Sequence, residues 1–133
     1  VRVRLLLDDL HTVGLDRVLL QLDAHPSIEV RLFNPFPNRY MRLFDLVYDF
    51  HGSNQRMHNK SFTADGSVAI AGGRNIGDVY AGLAGVRGFT DLDLFAVGPI
   101  VPAVTAQFDS YWNSGHAYPA ASIIHLWLPP TPA

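Results

Sequence analysis

The chain has no cysteine among its 133 residues. Disulfides and thiolate metal sites are therefore excluded, and the redox compartment is left open. No apolar run approaches the ~20 residues that a membrane-spanning helix needs, so any membrane contact made by this stretch is expected to be peripheral. Val1–Asp9 is charged and lacks the long apolar core of a secretory signal. Neither sign of charge dominates: ten Lys and Arg stand against twelve Asp and Glu, for a formal net charge of -2. No global basic field recruits nucleic acid, and no nucleic-acid partner is expected. A local basic pocket is still allowed.

What remains is the composition of a globular domain, 48% hydrophobic and 17% charged with both signs mixed. A chain of this size buries roughly two-thirds of its unfolded surface, enough for one core. No internal repeat and no second domain are visible. Both ends read as cut. The chain begins without Met, inside an apolar strand pattern, and runs out in Pro129-Pro130-Thr131-Pro132, which can continue neither a helix nor a central strand. The expectation is a piece of a longer protein.

Val1–Leu7 alternates and then becomes continuously apolar, as a strand entering a buried sheet does. Asp8 and Asp9 sit at its end. Leu15, Val18, Leu19 and Leu22 mark one face of a helix over Leu15–His25, stopped by Pro26. Ile28–Phe33 is a second strand, so the spacing predicts a parallel βαβ unit. After a turn-rich NPFPN stretch, Tyr40–Phe50 reads as a helix with Met41, Phe44, Val47 and Tyr48 on one side. His58–Thr63 and Ser67–Ala71 are two strands around Ala64-Asp65-Gly66, and Asp-Gly there is a hairpin signal. Thr90–Val97 is a further strand. Pro99–Ser114 is a last amphipathic helix, with Pro near its start and Gly115 past its end. The fold class is α/β, a mixed β-sheet flanked by helices.

Chemistry concentrates in Arg56–Asp78, RMHNKSFTADGSVAIAGGRNIGD. Two residues apart on a strand, His58 and Lys60 share a face. An imidazole beside an ammonium suits attack on a phosphodiester: the ring supplies a nucleophile and the ammonium offsets charge on the phosphoryl oxygens. Asn75 adds an amide donor, and the glycines before it let the backbone approach a bound phosphate. A lone His-x-Lys is commonly no more than two surface polar residues on an edge strand. The full string is more specific. His58-x-Lys60 is followed by four residues and Asp65, then by six residues and Gly72-Gly73-Arg74-Asn75.

At every one of these spacings the string resembles the His-Lys-Asp (HKD) motif of the phospholipase D superfamily. LLLDD at Leu5–Asp9, IEVRLFNPF at Ile28–Phe36, MHNKSFTAD, GGRNIGDVY and DLDLFAVGP extend the resemblance to the first half of bacterial phospholipase D-type cardiolipin synthases. It covers about Val1 to Gly115. It implies a phospholipase D-like half-domain over 1–118, truncated at its N-terminus, with 119–133 as a Pro-rich tail or linker. It also implies a phosphatidyltransferase working through a phosphohistidine. His58 is then the nucleophile or its general-acid counterpart, Lys60 and Asn75 hold the phosphate, and Asp65 organises the motif loop. Gly73 stands where many members have Ser. The implied substrates are phospholipids such as phosphatidylglycerol or phosphatidylethanolamine, at the bacterial membrane surface. A phosphodiesterase or nuclease is the alternative enzyme, and a non-catalytic headgroup-binding or dimerisation module the alternative outside enzymes.

Other residues carry less. Asp8 and Asp9 read either as an acidic pair near the pocket or as a solvated loop. Arg74 reads as a surface residue or a phosphate contact, Asp78 as a local cap, and Tyr80 as a packing residue before a channel lining. His11, His25, His51, His116 and His125 share no ligand spacing. No cofactor is expected, and no metal, because Lys60 supplies the positive charge a metal would bring. The family site uses two motifs, one His attacking while the other protonates the leaving oxygen. General-acid help contributes roughly 10²–10⁴ in rate, so the missing half is expected from the full-length chain or from a second copy across a twofold. The family half-domain begins with a strand and helix ahead of Val1, and their loss leaves apolar surface uncovered. The isolated chain should therefore self-associate, and light scattering that shows a clean monomer at high concentration contradicts this.

Overall fold

The computed structural model describes residues 1–36, 56–73 and 91–124. They divide into two compact units, one of residues 1–57 and 111–133 and the other of residues 58–110. The class is mixed α/β, as the sequence pattern predicts. The helix expected over Tyr40–Phe50 lies outside the described residues.

The first unit is built on β1 (Val3–Asp8), α1 (Asp16–Asp23) and β2 (Ile28–Phe33). The two strands pair in parallel, from Val3 opposite Ile28 to Asp8 opposite Phe33. This is the βαβ unit that the apolar spacing anticipated. Asp16 places a negative charge in the first turn of α1, where the helix dipole favours it. At the other end, Asp23 accepts a hydrogen bond from the Val30 amide at 2.8 Å and ties the helix to the strand it leads into.

Alternation along β2 sets up two packed faces. Val30 and Leu32 are fully buried, with Leu19 of α1 beside them in the core. Arg31 and Phe33 point the other way. Phe33 packs against Tyr111 with ring centroids 5.5 Å apart, and the Arg31 guanidinium lies 4.4 Å from the centre of the Trp112 ring. Arg31 also donates to the Trp112 carbonyl at 2.9 Å, a cation on the carbonyl end of a helix.

The chain beyond 118 does not start as a tail. Ala117–Pro119 forms a short strand antiparallel to β2, with Leu32 opposite Tyr118, and Ala120–Ile124 is a helix. Ala120 and Ile124 are fully buried in the same core as Val30 and Leu32. Proline is tolerated here because Pro119 ends a strand at the sheet edge, where no ladder amide is needed. Residues 125–133 lie outside the described residues.

The second unit contains a three-stranded antiparallel sheet, β3 (Lys60–Ala64), β4 (Val68–Gly72) and β5 (Asp93–Val97). After a single 3₁₀ turn at Gly98–Ile100, helix α2 (Val101–Trp112) follows. Both turn residues of the β3–β4 hairpin are left-handed, Asp65 at φ 51° and Gly66 at φ 62°. The Ser67 amide closes the turn on the Ala64 carbonyl at 3.0 Å. Asp and Gly occupy these positions because they tolerate that backbone at least cost. One face of this sheet carries Phe62, Ile70 and Phe95 in a single cross-strand row, with Val97 next to it. Phe62 and Phe95 are 62% and 68% exposed.

With β6 (Ala117–Pro119) and α3 (Ala120–Ile124) part of the core, Ile124→Ala should lower the unfolding free energy by about 2–5 kcal/mol. Urea unfolding checks this. A change near zero is what a solvated tail would give.

Candidate active site

Lys60 is the first residue of β3 and pairs with Gly72 of β4, which pairs in turn with Asp93 of β5. His58 and Asn59 lie before the ladder rather than in it, so the motif strand starts two residues later than its pattern predicts and runs one residue further, to Ala64. The His58 backbone is correspondingly free of strand pairing to β4. Its side chain still meets Lys60: Nζ lies 3.0 Å from His58 Nδ1 and donates to the His58 carbonyl at 2.9 Å. An ammonium has hydrogens and no lone pair. Nδ1 is therefore the acceptor in this contact, and a neutral ring carries its hydrogen on Nε2. Two of the three ammonium hydrogens are used within the pair, and one is left for an incoming anion. Lys60 is also the sole lysine of the chain, so no other ammonium side chain can replace it.

A cavity of about 440 Å³ opens beside this pair. Asn59, Lys60, Ser61 and Gly72 contribute one side of its lining, and Ala103, Val104 and Gln107 of α2 the other. Small apolar side chains give it a smooth floor, and the two amides and one hydroxyl give it hydrogen-bonding groups.

Asp65 is not brought to the pair. It stands exposed in the hairpin turn, at the far end of β3, a separation of roughly 13–16 Å at the usual strand rise. Its carbonyl accepts a hydrogen bond from Ser67 Oγ at 3.2 Å. Asn75, Arg74, Asp78 and Tyr80 lie outside the described residues. Among the described residues, no group of three or more His, Asp or Glu is arranged to hold a metal ion.

Gly72 and Gly73 have a reason that local pattern does not show. A Cβ on Gly72 would lie 2.8 Å from the Asp93 Cα and in collision with the Asp93 carboxylate. A Cβ on Gly73 would run into the Asp91 carboxylate. The room left by the missing side chains is taken up by aspartates at the start of β5.

Asp8 and Asp9 are the residues whose importance sequence reasoning undervalued. They are 8% and 0% exposed, not solvated. Asp8 Oδ1 accepts from the Leu10 amide at 2.9 Å and from Arg56 Nη1 at 3.3 Å, and Oδ2 accepts from the Met57 amide at 2.8 Å. Asp9 Oδ1 accepts from Thr12 Oγ1 at 2.5 Å and Oδ2 from the Phe36 amide at 2.9 Å. Arg56 was the available signal: it opens the motif string, and a buried carboxylate requires a donor or a cation.

Comparison with known proteins assigns the class. No protein-family model matches the chain. Individual relatives do. Cardiolipin synthase C of Escherichia coli (strain K12) is 52% identical over 126 residues, 95% of this chain and 27% of that protein. The cardiolipin synthase of Oceanobacillus iheyensis is 30% identical over 85% of the chain and 22% of that protein, and one from Staphylococcus aureus (strain Mu50) 32% over 86% and 22%. An uncharacterized Helicobacter pylori protein is 37% identical over 91% of the chain. These relatives place the chain in the phospholipase D superfamily. Within it, the chain is a cardiolipin synthase-like member. It spans about a quarter of the length of the curated relatives it matches.

The two glycines should respond differently to substitution. Gly72→Ala meets backbone and should cost about 1–3 kcal/mol, the usual range for overpacking. Gly73→Ala meets only the end of an exposed side chain that can rotate away, and should cost under 1 kcal/mol. Paired chemical-denaturation curves separate the two.

Proposed function

We propose that this chain supplies one phosphate-reacting motif of a phosphatidyltransferase that forms cardiolipin at the bacterial membrane surface. The observation that carries the reading is the His58–Lys60 contact, a ring nitrogen and an ammonium 3.0 Å apart beside an open cavity. The names of the relatives support the substrate class. The second sheet supports it independently. Alternation along β3 puts Phe62 on the same side as Lys60, and Ile70 and Phe95 continue that row. A cation at the end of an exposed apolar row matches a molecule with a phosphate at one end and acyl chains at the other. A net charge of -2 offers no broad basic surface to a nucleic-acid backbone. Among the described residues no helix is long and apolar enough to cross a membrane, and the contact we infer is peripheral.

The chemistry runs as follows. The donor phosphate takes the third ammonium hydrogen of Lys60, and Asn75 adds an amide donor. As Lys60 shifts from Nδ1 towards the phosphate, the ring hydrogen can move to Nδ1 and free the Nε2 lone pair. Nε2 attacks phosphorus, and the bond from phosphorus to the headgroup oxygen breaks. The leaving alkoxide takes a proton from a general acid, in this reading the His of a second motif. The glycerol hydroxyl of a second phospholipid gives its proton to that second His, now acting as base, attacks the phosphohistidine, and releases both His58 and cardiolipin. Asp65 shapes the hairpin that starts and ends this stretch. Lys60 supplies charge neutralisation at the phosphoryl oxygens, so no metal is required.

The test uses the intact natural protein that contains this sequence, with vesicles of phosphatidylglycerol, alone and mixed with phosphatidylethanolamine. Mass spectrometry of the lipids should show cardiolipin. His58→Ala should reduce its formation on the order of 10³-fold or more, as loss of a nucleophile does. Retained turnover removes His58 from the role. Addition of a chelator should leave the rate unchanged, and a large loss would establish a metal requirement. Cleavage of single-stranded DNA in place of lipid turnover would move the assignment to a nuclease.

A further inference from the structure

We propose that the cavity at the open end of the β3–β4 hairpin seats a neutral, hydroxyl-bearing headgroup, and that Gln107 of α2 is the residue that reads its hydroxyl. The inference rests on Lys60 holding the phosphate, and names what lies on the headgroup side of that phosphate. Every residue lining the cavity belongs to the second unit, so one compact body sets the site. Lys60 and Ser61 point to opposite faces of β3, yet both line the cavity, as do their ladder partners Gly72 and Ala71. The space therefore wraps the end of the ladder, from the ammonium across to α2. At about 440 Å³ it lies low in the ~300–1,000 Å³ range of small-molecule sites. That is the scale of a headgroup rather than of a whole diacyl lipid.

The lining chemistry discriminates among headgroups. Its one charge is the Lys60 ammonium, and among the described residues no carboxylate lines it. A headgroup ending in an ammonium would meet a like charge there, which counts against it, whereas a hydroxyl would not. Ala103, Val104 and Gln107 share one face of α2 by helical spacing, and of the three only Gln107 has a hydrogen-bonding side chain. Ser110 Oγ donates to the main-chain carbonyl of Gln107 at 2.7 Å. The Gln107 amide, like the Asn59 amide and the Ser61 hydroxyl, makes no hydrogen bond to another described residue. An amide both donates and accepts, and so does a hydroxyl. A site that hydrogen-bonds a substrate hydroxyl discriminates against an analogue without one, because its own polar group is then left unpaired. Asp93 is the competing group: its carboxylate lies over Gly72 without lining the cavity, and it would favour an ammonium instead.

The measurement is titration calorimetry on the intact natural protein and its Gln107→Leu and Gln107→Glu variants, each shown folded by circular dichroism. The probes are two soluble deacylated headgroups, glycerophosphoglycerol and glycerophosphoethanolamine, which share a phosphodiester and differ in the group offered to the cavity. The natural protein should bind glycerophosphoglycerol about fivefold or more tighter. Gln107→Leu should weaken that binding about fivefold, the effect of one hydrogen bond, and leave glycerophosphoethanolamine within about twofold. Gln107→Glu brings a carboxylate beside the headgroup and should shift the preference towards glycerophosphoethanolamine; it also decides the matter if Gln107→Leu does not fold. A ratio of the two affinities that neither variant changes by more than about twofold overturns the proposal and leaves His58 and Lys60 in their roles. Equal weakening of both probes shows a damaged cavity rather than a read hydroxyl, and overturns it too. Tighter binding of glycerophosphoethanolamine by the natural protein assigns the space to an ammonium facing Asp93, with the same consequence. Turnover retained by His58→Ala overturns the reading of the reacting motif, and the headgroup role with it. The binding ratios need no turnover, so that failure is distinguishable from the others.

Discussion

Two carboxylates buried side by side at the end of β1 fix where segments of the first unit can run. Removing an ionised group from water is costly unless it is paired and hydrogen-bonded. Asp8 and Asp9 meet that condition because all four of their oxygens have donors: the Leu10, Phe36 and Met57 amides, the Thr12 hydroxyl and the Arg56 guanidinium. All five of these groups must be in one place for the charge to be tolerated. The corner is therefore specified by the penalty for any other arrangement, more than by net attraction. Leu19, Val30, Leu32, Ala120 and Ile124 supply the burial that makes the sheet stable. The acidic pair decides where the segments leaving that sheet are anchored.

The same separation of roles runs through the second sheet. The hairpin has its turn chemistry at Asp65 and Gly66, its ladder along β3 and β4, and its working side chains where the ladder starts. Gly72 and Gly73 admit Asp93 and Asp91 close to the backbone at that same end. A negative group near the Lys60 side of the sheet places demands on the ammonium as the phosphate's partner. The ammonium must be held, and His58 holds it through its carbonyl and Nδ1.

What could be read from the sequence follows the range of each interaction. β1, α1 and β2 were legible because apolar periodicity is local, and Ile28–Phe33 matches its pattern residue for residue. The Asp65-Gly66 turn was legible because its backbone requirement is confined to two residues. β6 and α3 were not, because a three-residue strand ending in Pro119 has no period and the prolines beyond it read as a tail. His58 was placed inside a strand because pairing ends at Gly72, a fact about β4 and not about β3. Burial of Asp8 was hidden for a similar reason: its donors Arg56 and Met57 are distant in the chain. The pairing of His58 with Lys60 was legible from two-residue spacing, yet the nitrogen involved is a matter of three-dimensional contact.

That nitrogen bears on how much one motif can do. With Nδ1 occupied by Lys60, a neutral His58 presents Nε2–H, which can hydrogen-bond to an oxygen and cannot attack phosphorus. With Lys60 drawn onto a phosphate, the ring can present an Nε2 lone pair, which can attack and cannot donate. A single imidazole cannot hold both states in one transition state, because attack on phosphorus and protonation of the leaving oxygen occur on opposite sides of the same phosphorus. Lys60 is the sole lysine, so this chain has no second His-x-Lys to take the other role. In the proposed transfer, the proton for the leaving oxygen comes from a second, protonated ring. The lysine contact then has a place in the proposed chemistry: release of Nδ1 as Lys60 turns to the phosphate is what makes Nε2 available as the nucleophile.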